Sequence, residues 1–260
     1  MIDTLKTELI LSDDEKYYAD REHVSNSMLS LLNKSPQHLQ RLLDGHQEET
    51  PALIFGSAFH TYVLEPEKWK QDVAIYDGKT RRGKAWEEFQ EQHASKTIIN
   101  KSEHQKIVAM RRALCTPEDN YDFIENSLHE VVRVWEMQGV KCKGKADCVY
   151  ETKDGKKIII DVKTTQDASP DGFRRSAYKY GYHRQASFYV DGFGADEFWF
   201  AVVEKDSPYR VGLYQASEDF INNGRDEVSI LLETYKEYFI NKTKQVQDYY
   251  FKGELWQKEN

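Results

Sequence analysis

Cysteine is scarce in this chain and shows no paired spacing. Cys115, Cys142 and Cys148 make no CxxC, and their separations fit no zinc site. An odd number of thiols without a signal peptide reads as free cysteines in a reducing cytoplasm. Long apolar runs are missing as well, and nothing approaches the roughly 20 residues that a membrane span needs. Positive charge is in deficit, with 36 Lys+Arg against 44 Asp+Glu and a net charge of -8. That balance excludes a protein that coats nucleic acid indiscriminately, while one basic groove remains compatible with it. Internal repeats, low-complexity tracts and linkers are absent too. Residues 1–260 therefore read as a single domain with ample chain for a core.

What the sequence does contain is a hairpin. Gly144-Lys145-Ala146-Asp147-Cys148-Val149-Tyr150 and Lys157-Ile158-Ile159-Ile160-Asp161-Val162-Lys163 flank a polar stretch ending in Asp154-Gly155. Side chains alternate along a strand, so Asp161 and Lys163 share one face, and Ile160 and Val162 share the other. The hairpin brings Asp147 opposite them. Two carboxylates beside a lysine make a seat for a divalent cation, and the lysine supplies positive charge or a proton. An Asp-x-Lys by itself is more often a surface ion pair worth little. Its meaning here comes from the residues around it.

Residues 1–24 form an acidic, weakly patterned leader, and 25–128 read as mainly helical. Ser25 and Ser27 precede an apolar-periodic run, and Ser35-Pro36 opens a second helix. With Arg21 nearby, the hydroxyls of Ser25, Ser27 and Ser35 at helix N-termini predict a binding corner for a 5′-phosphate. Residues 52–66 read as a helix whose Gly56, Ser57 and Ala58 permit close approach. His60 follows Gly56 by one turn. It is either a hydrogen-bonded core residue or, if this helix docks on the hairpin, a metal ligand. Lys79, Arg81 and Arg82 stand in a polar loop over 77–84, which is either solvated or a phosphate contact.

Residues 129–240 read as a sheet–helix core. Strands are expected at 129–137, 196–204 and 209–215. A helix from Tyr182 carries Gln185 and Tyr189 on one face, and a long helix over 217–240 is capped by Ser217. The many aromatics offer stacking surfaces, among which Tyr182 and Tyr189 are candidate DNA contacts. Residues 241–260 form a polar tail relieved by Tyr249, Tyr250, Phe251 and Trp256. Helices flanking a short mixed sheet make the fold α/β or α+β.

Taken in order, Gly56-x-x-x-His60, Gly144-x-x-Asp147, Asp161-Val162-Lys163 and Gln185-x-x-x-Tyr189 resemble the RecB-like branch of the PD-(D/E)XK nucleases. The likeness is closest to the nuclease domain of exodeoxyribonuclease VIII, the RecE type, and related prophage exonucleases. It is carried by residues 25–39, 52–66, 160–165 and 178–192. The resemblance implies a restriction-endonuclease-like core preceded by a helical region, and hydrolysis of phosphodiester bonds at ends of double-stranded DNA, 5′ to 3′. It implies one or two Mg²⁺ or Mn²⁺ ions held by His60, Asp147, Asp161 and the Val162 carbonyl. Lys163 falls on the catalytic lysine, and Gln185 with Tyr189 on the motif after the core. A homotetrameric ring, a single-strand annealing recombinase as partner and a role in phage recombination follow in the same way.

Physical chemistry extends this picture. Burial beside a metal should ease deprotonation of Lys163, which then orients the attacking water. Gln185 would hold Lys163 or that water. Two alternatives remain: a non-catalytic DNA-binding or recombinase-partner protein on a nuclease fold, and another RecB-like repair nuclease. Relatives of the second kind commonly carry a four-cysteine iron–sulfur cluster, which three unpaired cysteines do not provide.

Overall fold

The β-rich run from Leu128 to Gln215 forms a five-stranded mixed sheet, seen in a computed structural model that describes residues 2–46 and 50–251. Before it come α1 (Ile2–Leu11), α2 (Asp14–Ala19), α3 (Asn26–Lys34), α4 (Pro36–Leu43), α5 (Pro51–Leu64) and α6 (Pro66–Asp72). Then follow β1 (Val73–Tyr76), α7 (Lys84–Gln92), β2 (Thr97–Asn100), α8 (Lys101–Leu114) and α9 (Glu118–Glu125). The sheet strands are β3 (Leu128–Met137), β4 (Val140–Glu151), β5 (Lys157–Thr165), β6 (Glu197–Glu204) and β7 (Val211–Gln215), paired in that order. Helices α10 (Pro170–Tyr180) and α11 (Tyr182–Phe193) connect β5 to β6, and α12 (Glu218–Tyr235) closes the core.

Within this five-stranded sheet only β5 and β6 run parallel, because α10 and α11 carry the chain back across it; the other neighbours are antiparallel. The expected hairpin is the β4–β5 pair, with Cys148 opposite Ile160. Ile158, Ile160 and Val162 pack against Phe59 and Val63 of α5 and Ile107, Met110 and Leu114 of α8. On the opposite face Ile159 meets Phe173 of α10 and Ala186, Val190 and Phe193 of α11. Each such side chain stabilises the fold by about 1.5–3 kcal/mol when fully buried. β5 is thus covered on both faces, which is why it reads as a continuous apolar run. A third cluster joins α3 and α4 to α12 through Leu29, Leu39, Phe188 and Leu232. There α12 presses on the start of α11: a Cβ on Gly224 would lie 2.0 Å from the His183 carbonyl oxygen.

Two features differ from the sequence reading. Residues 25–128 include a small parallel sheet, β1 paired with β2, whose four-residue strands are too short to show a period. The leader is not weakly structured. Leu11 of α1 and Tyr17 of α2 bury themselves with Val132 and Val134 of β3. Lys143 of β4 is buried against α2, with its ammonium 2.9 Å from the Asp20 carboxylate. Trp256, assigned to the tail, lies outside the described residues. No helix among the described residues is long and apolar enough to cross a membrane.

Candidate active site

The middle of β4 and the C-terminal half of β5 pack against α5. Thr50 caps α5, Pro51 opens it, and Ala58 and Phe59 bury one side of it against the sheet. That docking carries His60 onto β5. Its Nδ1 is 2.9 Å from the Gly56 carbonyl one turn back, and its Nε2 is 2.6 Å from the Val162 carbonyl. Carbonyl oxygens only accept, so both ring nitrogens must carry protons and the ring is an imidazolium. The same Nε2 lies 3.3 Å from Asp147 Oδ2, which also accepts the Val162 backbone N–H at 2.8 Å.

On the neighbouring face Lys163 Nζ is 2.6 Å from Asp161 Oδ2, and Gln185 Nε2 donates to Asp161 Oδ1 at 2.6 Å. Four charges therefore balance as two pairs. Burial alone would depress the His60 imidazole, but the Asp147 carboxylate more than reverses this and holds it at about 9. Asp147 is correspondingly kept low, burial being outweighed by His60. Burial pushes Asp161 up to about 6, with Asp147 adding to the rise against the pull of Lys163. Two acids sharing one buried site do not both ionise freely. The expectation for Lys163 concerns the metal-bound site; without a metal its shift runs the other way. Burial favours the neutral amine, but Asp161 overrides it and raises the ammonium's pKa. As the structure stands, Lys163 is a cation and not a primed base.

The donor set fits a divalent cation. Two carboxylates, the Val162 carbonyl and one imidazole are mostly hard oxygen ligands, as Mg²⁺ and Mn²⁺ prefer. Asp161 Oδ2 is buried against the Lys163 ammonium at 2.6 Å, so a cation using its lone pairs would share or displace that contact. Among the described residues no three His, Cys, Asp or Glu side chains already converge as a ligand cluster. The physical reason is that each acid has taken the nearest protein cation, Asp147 the imidazolium and Asp161 the ammonium. Ligation by His60 would require loss of its Nε2 proton.

The family model described as "PDDEXK-like domain of unknown function (DUF3799)" matches residues 25–247. The chain belongs to that family. Membership places it in the PD-(D/E)XK nuclease superfamily, and the mixed sheet flanked by helices is the corresponding fold. A crystal structure described as a "Putative exonuclease" from Eubacterium rectale superposes with a TM-score of 0.63 and 13% identity, over 94% of this chain and 96% of that one. At that identity the likeness establishes the fold alone. A structure of LHK-Exo in complex with dAMP matches with a TM-score of 0.29 and 14% identity, over 73% of this chain and 94% of that one, too distant to carry an argument. No curated protein matches the sequence.

For this PDDEXK-like chain the remaining expected residues are distributed as follows. Gln185 holds Asp161 and not Lys163. Tyr189 faces inward: its hydroxyl donates to the Lys145 carbonyl at 3.2 Å and its ring stacks on Phe193 at 5.7 Å, so it braces β4 behind Asp147. Tyr182 does lie at the site, with Lys163 Nζ 5.0 Å from its ring centroid. Ser25, Ser27 and Ser35 do not form one corner. Ser25 caps α3 and bonds the Ser27 hydroxyl, while Ser35 caps α4 and bonds His38 Nδ1 at 2.7 Å. The whole of α3 separates them, about 13 Å at 1.5 Å per residue. Arg21 donates to the backbone carbonyls of Tyr18 and Asp20. Arg81 pairs with Glu103 and lies over Trp86, whereas Lys79 and Arg82 are exposed in the loop before α7.

Two residues of the site escaped the sequence reading. Glu130 of β3 sits at a φ of +51°, where the β3–β4 ladder skips the position opposite Asp147. Burial, reinforced by Asp147, raises its carboxyl pKa. Lys145 compensates it from 2.7 Å and is itself held by Asp14 of α2, also at 2.7 Å. The only signal was an acid directly before Val131-Val132 at the start of a strand beside the hairpin.

The His60–Asp147 pair carries a pH signature. His60 is raised from an ordinary 6.5 to about 9, so its contribution is fully present below about 6.5 and lost as pH rises through 9. That contribution is on the order of 3 kcal/mol, and the melting temperature of metal-free protein should fall by several degrees across the window. In His60→Gln the decline should disappear. A wild-type melting temperature that is flat over this range would contradict the assignment.

Proposed function

We propose that this protein is a divalent-metal-dependent exodeoxyribonuclease that hydrolyses phosphodiester bonds from ends of linear double-stranded DNA. The reading rests on one observation: His60 of α5, Asp147 of β4 and the Asp161–Lys163 pair of β5 gather around the C-terminal half of β5, with Gln185 bonded to Asp161. Membership of the PDDEXK-like family supports a hydrolytic nuclease. Asp147, Asp161, the Val162 carbonyl and His60 would hold Mg²⁺ or Mn²⁺. When bound, such an ion supplies Lewis acidity and a more acidic water. Lys163, held as an ammonium, offsets the negative charge that accumulates on the phosphorane and orients the water. Gln185 fixes the rotamer of Asp161 so that Oδ2 faces the site, and Tyr189 and Lys145 hold the strand carrying Asp147.

Digestion from 5′ ends, supply of single strands to an annealing recombinase, phage or prophage recombination and assembly as a ring of four belong to the same proposal. The free Cys115, Cys142 and Cys148 support a reducing cytoplasm as its setting. Incubating the protein with linear duplex labelled at either the 5′ or the 3′ end, beside closed circular DNA, tests it. Release of 5′ label from linear DNA alone, with Mg²⁺ or Mn²⁺ and not with chelator, is expected. Cleavage of closed circles would replace the exonuclease with an endonuclease. An intact linear substrate under all metals would remove the reading.

A further inference from the structure

From Lys163 a line of aromatic rings leads outward to the protein surface. The Lys163 ammonium stands 5.0 Å from the Tyr182 ring centroid. Tyr182 is fixed in place by stacking on Phe200 at 5.6 Å and by Phe173 at 5.9 Å. Tyr180 comes next, its centroid 5.9 Å from that of Tyr182 with 32° between the planes. Two residues apart in sequence, these side chains become neighbours because Gly181 turns the chain at φ +68° between α10 and α11. Tyr180 is 56% exposed, and Lys179 Nζ lies 5.2 Å from its ring centroid.

Single exposed aromatics are ordinary and need no function. The order here is what calls for one. Cation, ring, ring and cation follow one another from the candidate catalytic lysine to the surface. Lys179 pairs with no carboxylate among the described residues, whereas Arg174 and Arg175 of the same helix are paired with Asp171 and Asp167. A fixed inner ring, an open outer ring and flanking ammonium groups match the alternation of base and phosphate along an unpaired DNA strand. A duplex cannot use such a track, since its bases are already stacked and paired.

We propose that Tyr182 and Tyr180, flanked by Lys163 and Lys179, form a stacking track for the bases of an unpaired strand adjoining the bond to be cut. The choice of DNA as ligand rests on the nuclease reading above, while the track is tested by binding alone. Stacking tolerates every base, so the track selects unpaired character and not sequence.

The test is fluorescence anisotropy with a short fluorescein-labelled oligothymidylate, with Ca²⁺ replacing Mg²⁺. Tyr180→Ala should weaken binding by about five- to a hundredfold, the usual worth of one stacked base. Tyr180→Phe, which keeps the ring, should bind like wild type. On a strand of the same length with abasic sites, Tyr180→Ala and wild type should bind equally. Equal affinity of Tyr180→Ala and wild type for oligothymidylate would overturn the track. So would an equal loss on the abasic strand, or failure of the wild type to bind. If the wild type shows the stacking pattern yet degrades no linear duplex with Mg²⁺, the nuclease reading fails and the track stands. If it degrades duplex while Tyr180→Ala binds unchanged, the track fails and the nuclease reading stands.

Discussion

Lys163→Ala should lower hydrolysis of linear DNA by about 10²- to 10⁴-fold, the range lost with a positioned proton-transfer or charge-stabilising group. Lys163 is the ammonium closest to Asp161, and its side chain remains 19% exposed at the strand end. Removing it need not unfold the chain, because Asp161, already raised to about 6, can take up a proton instead of standing as an unpaired buried charge. Asp161→Asn should cost as much by a different route. The amide still accepts from Gln185 and keeps the shape of the site, but the anionic oxygen that would hold a cation is gone. Both variants should keep the wild-type circular dichroism spectrum. Release of end label at near-wild-type rate by Lys163→Ala would end the proposed mechanism.

Arg184→Ala should destabilise the protein by about 3–5 kcal/mol, the cost of breaking a buried charge network by deleting one partner. The Arg184 side chain is only 3% exposed. Its guanidinium donates to Glu227 of α12 at 2.6 Å, and to Ser30 at 2.8 Å and Asn26 at 3.3 Å, both of α3. His183 also pairs with Glu227, at 2.6 Å. Arg184 therefore ties α11, which aims the adjacent Gln185 at Asp161, to both the N-terminal helices and the closing helix. A loss of this size lowers the melting temperature by on the order of 10 °C. Arg184→Lys should rescue little, since one ammonium cannot span acceptors on two helices. Unfolding within about 2 °C of wild type would show that packing carries this junction without the ion network.

Lys163→Ala removes chemistry and Arg184→Ala removes scaffold, and the same division describes what could be read from sequence. The β4–β5 hairpin, the shared face of Asp161 and Lys163, the helix carrying His60 and the cap at Ser217 were legible because each depends on neighbours within a turn or a strand. Periods of 2 and 3.6 residues are local properties. The small β1–β2 sheet was not legible, since four residues are too few to display a period. Nor was the structured leader, whose α1 and α2 are held by Val132, Val134, Lys143 and Lys145 more than a hundred residues later.

The order of residues fixes which groups can do the chemistry: one imidazole, two carboxylates and one amine, on elements whose register aims them. How those groups are charged, and what each one touches, came from the packing of distant elements. It made His60 an imidazolium on Asp147 and Lys163 an ammonium on Asp161, turned Gln185 to Asp161, and spent Tyr189 on the Lys145 carbonyl. The reason is range. Backbone periodicity is set by adjacent residues, whereas the protonation of a buried group is set by whichever charge lies within a few ångströms, and α5 and β5 meet 102 residues apart in the chain.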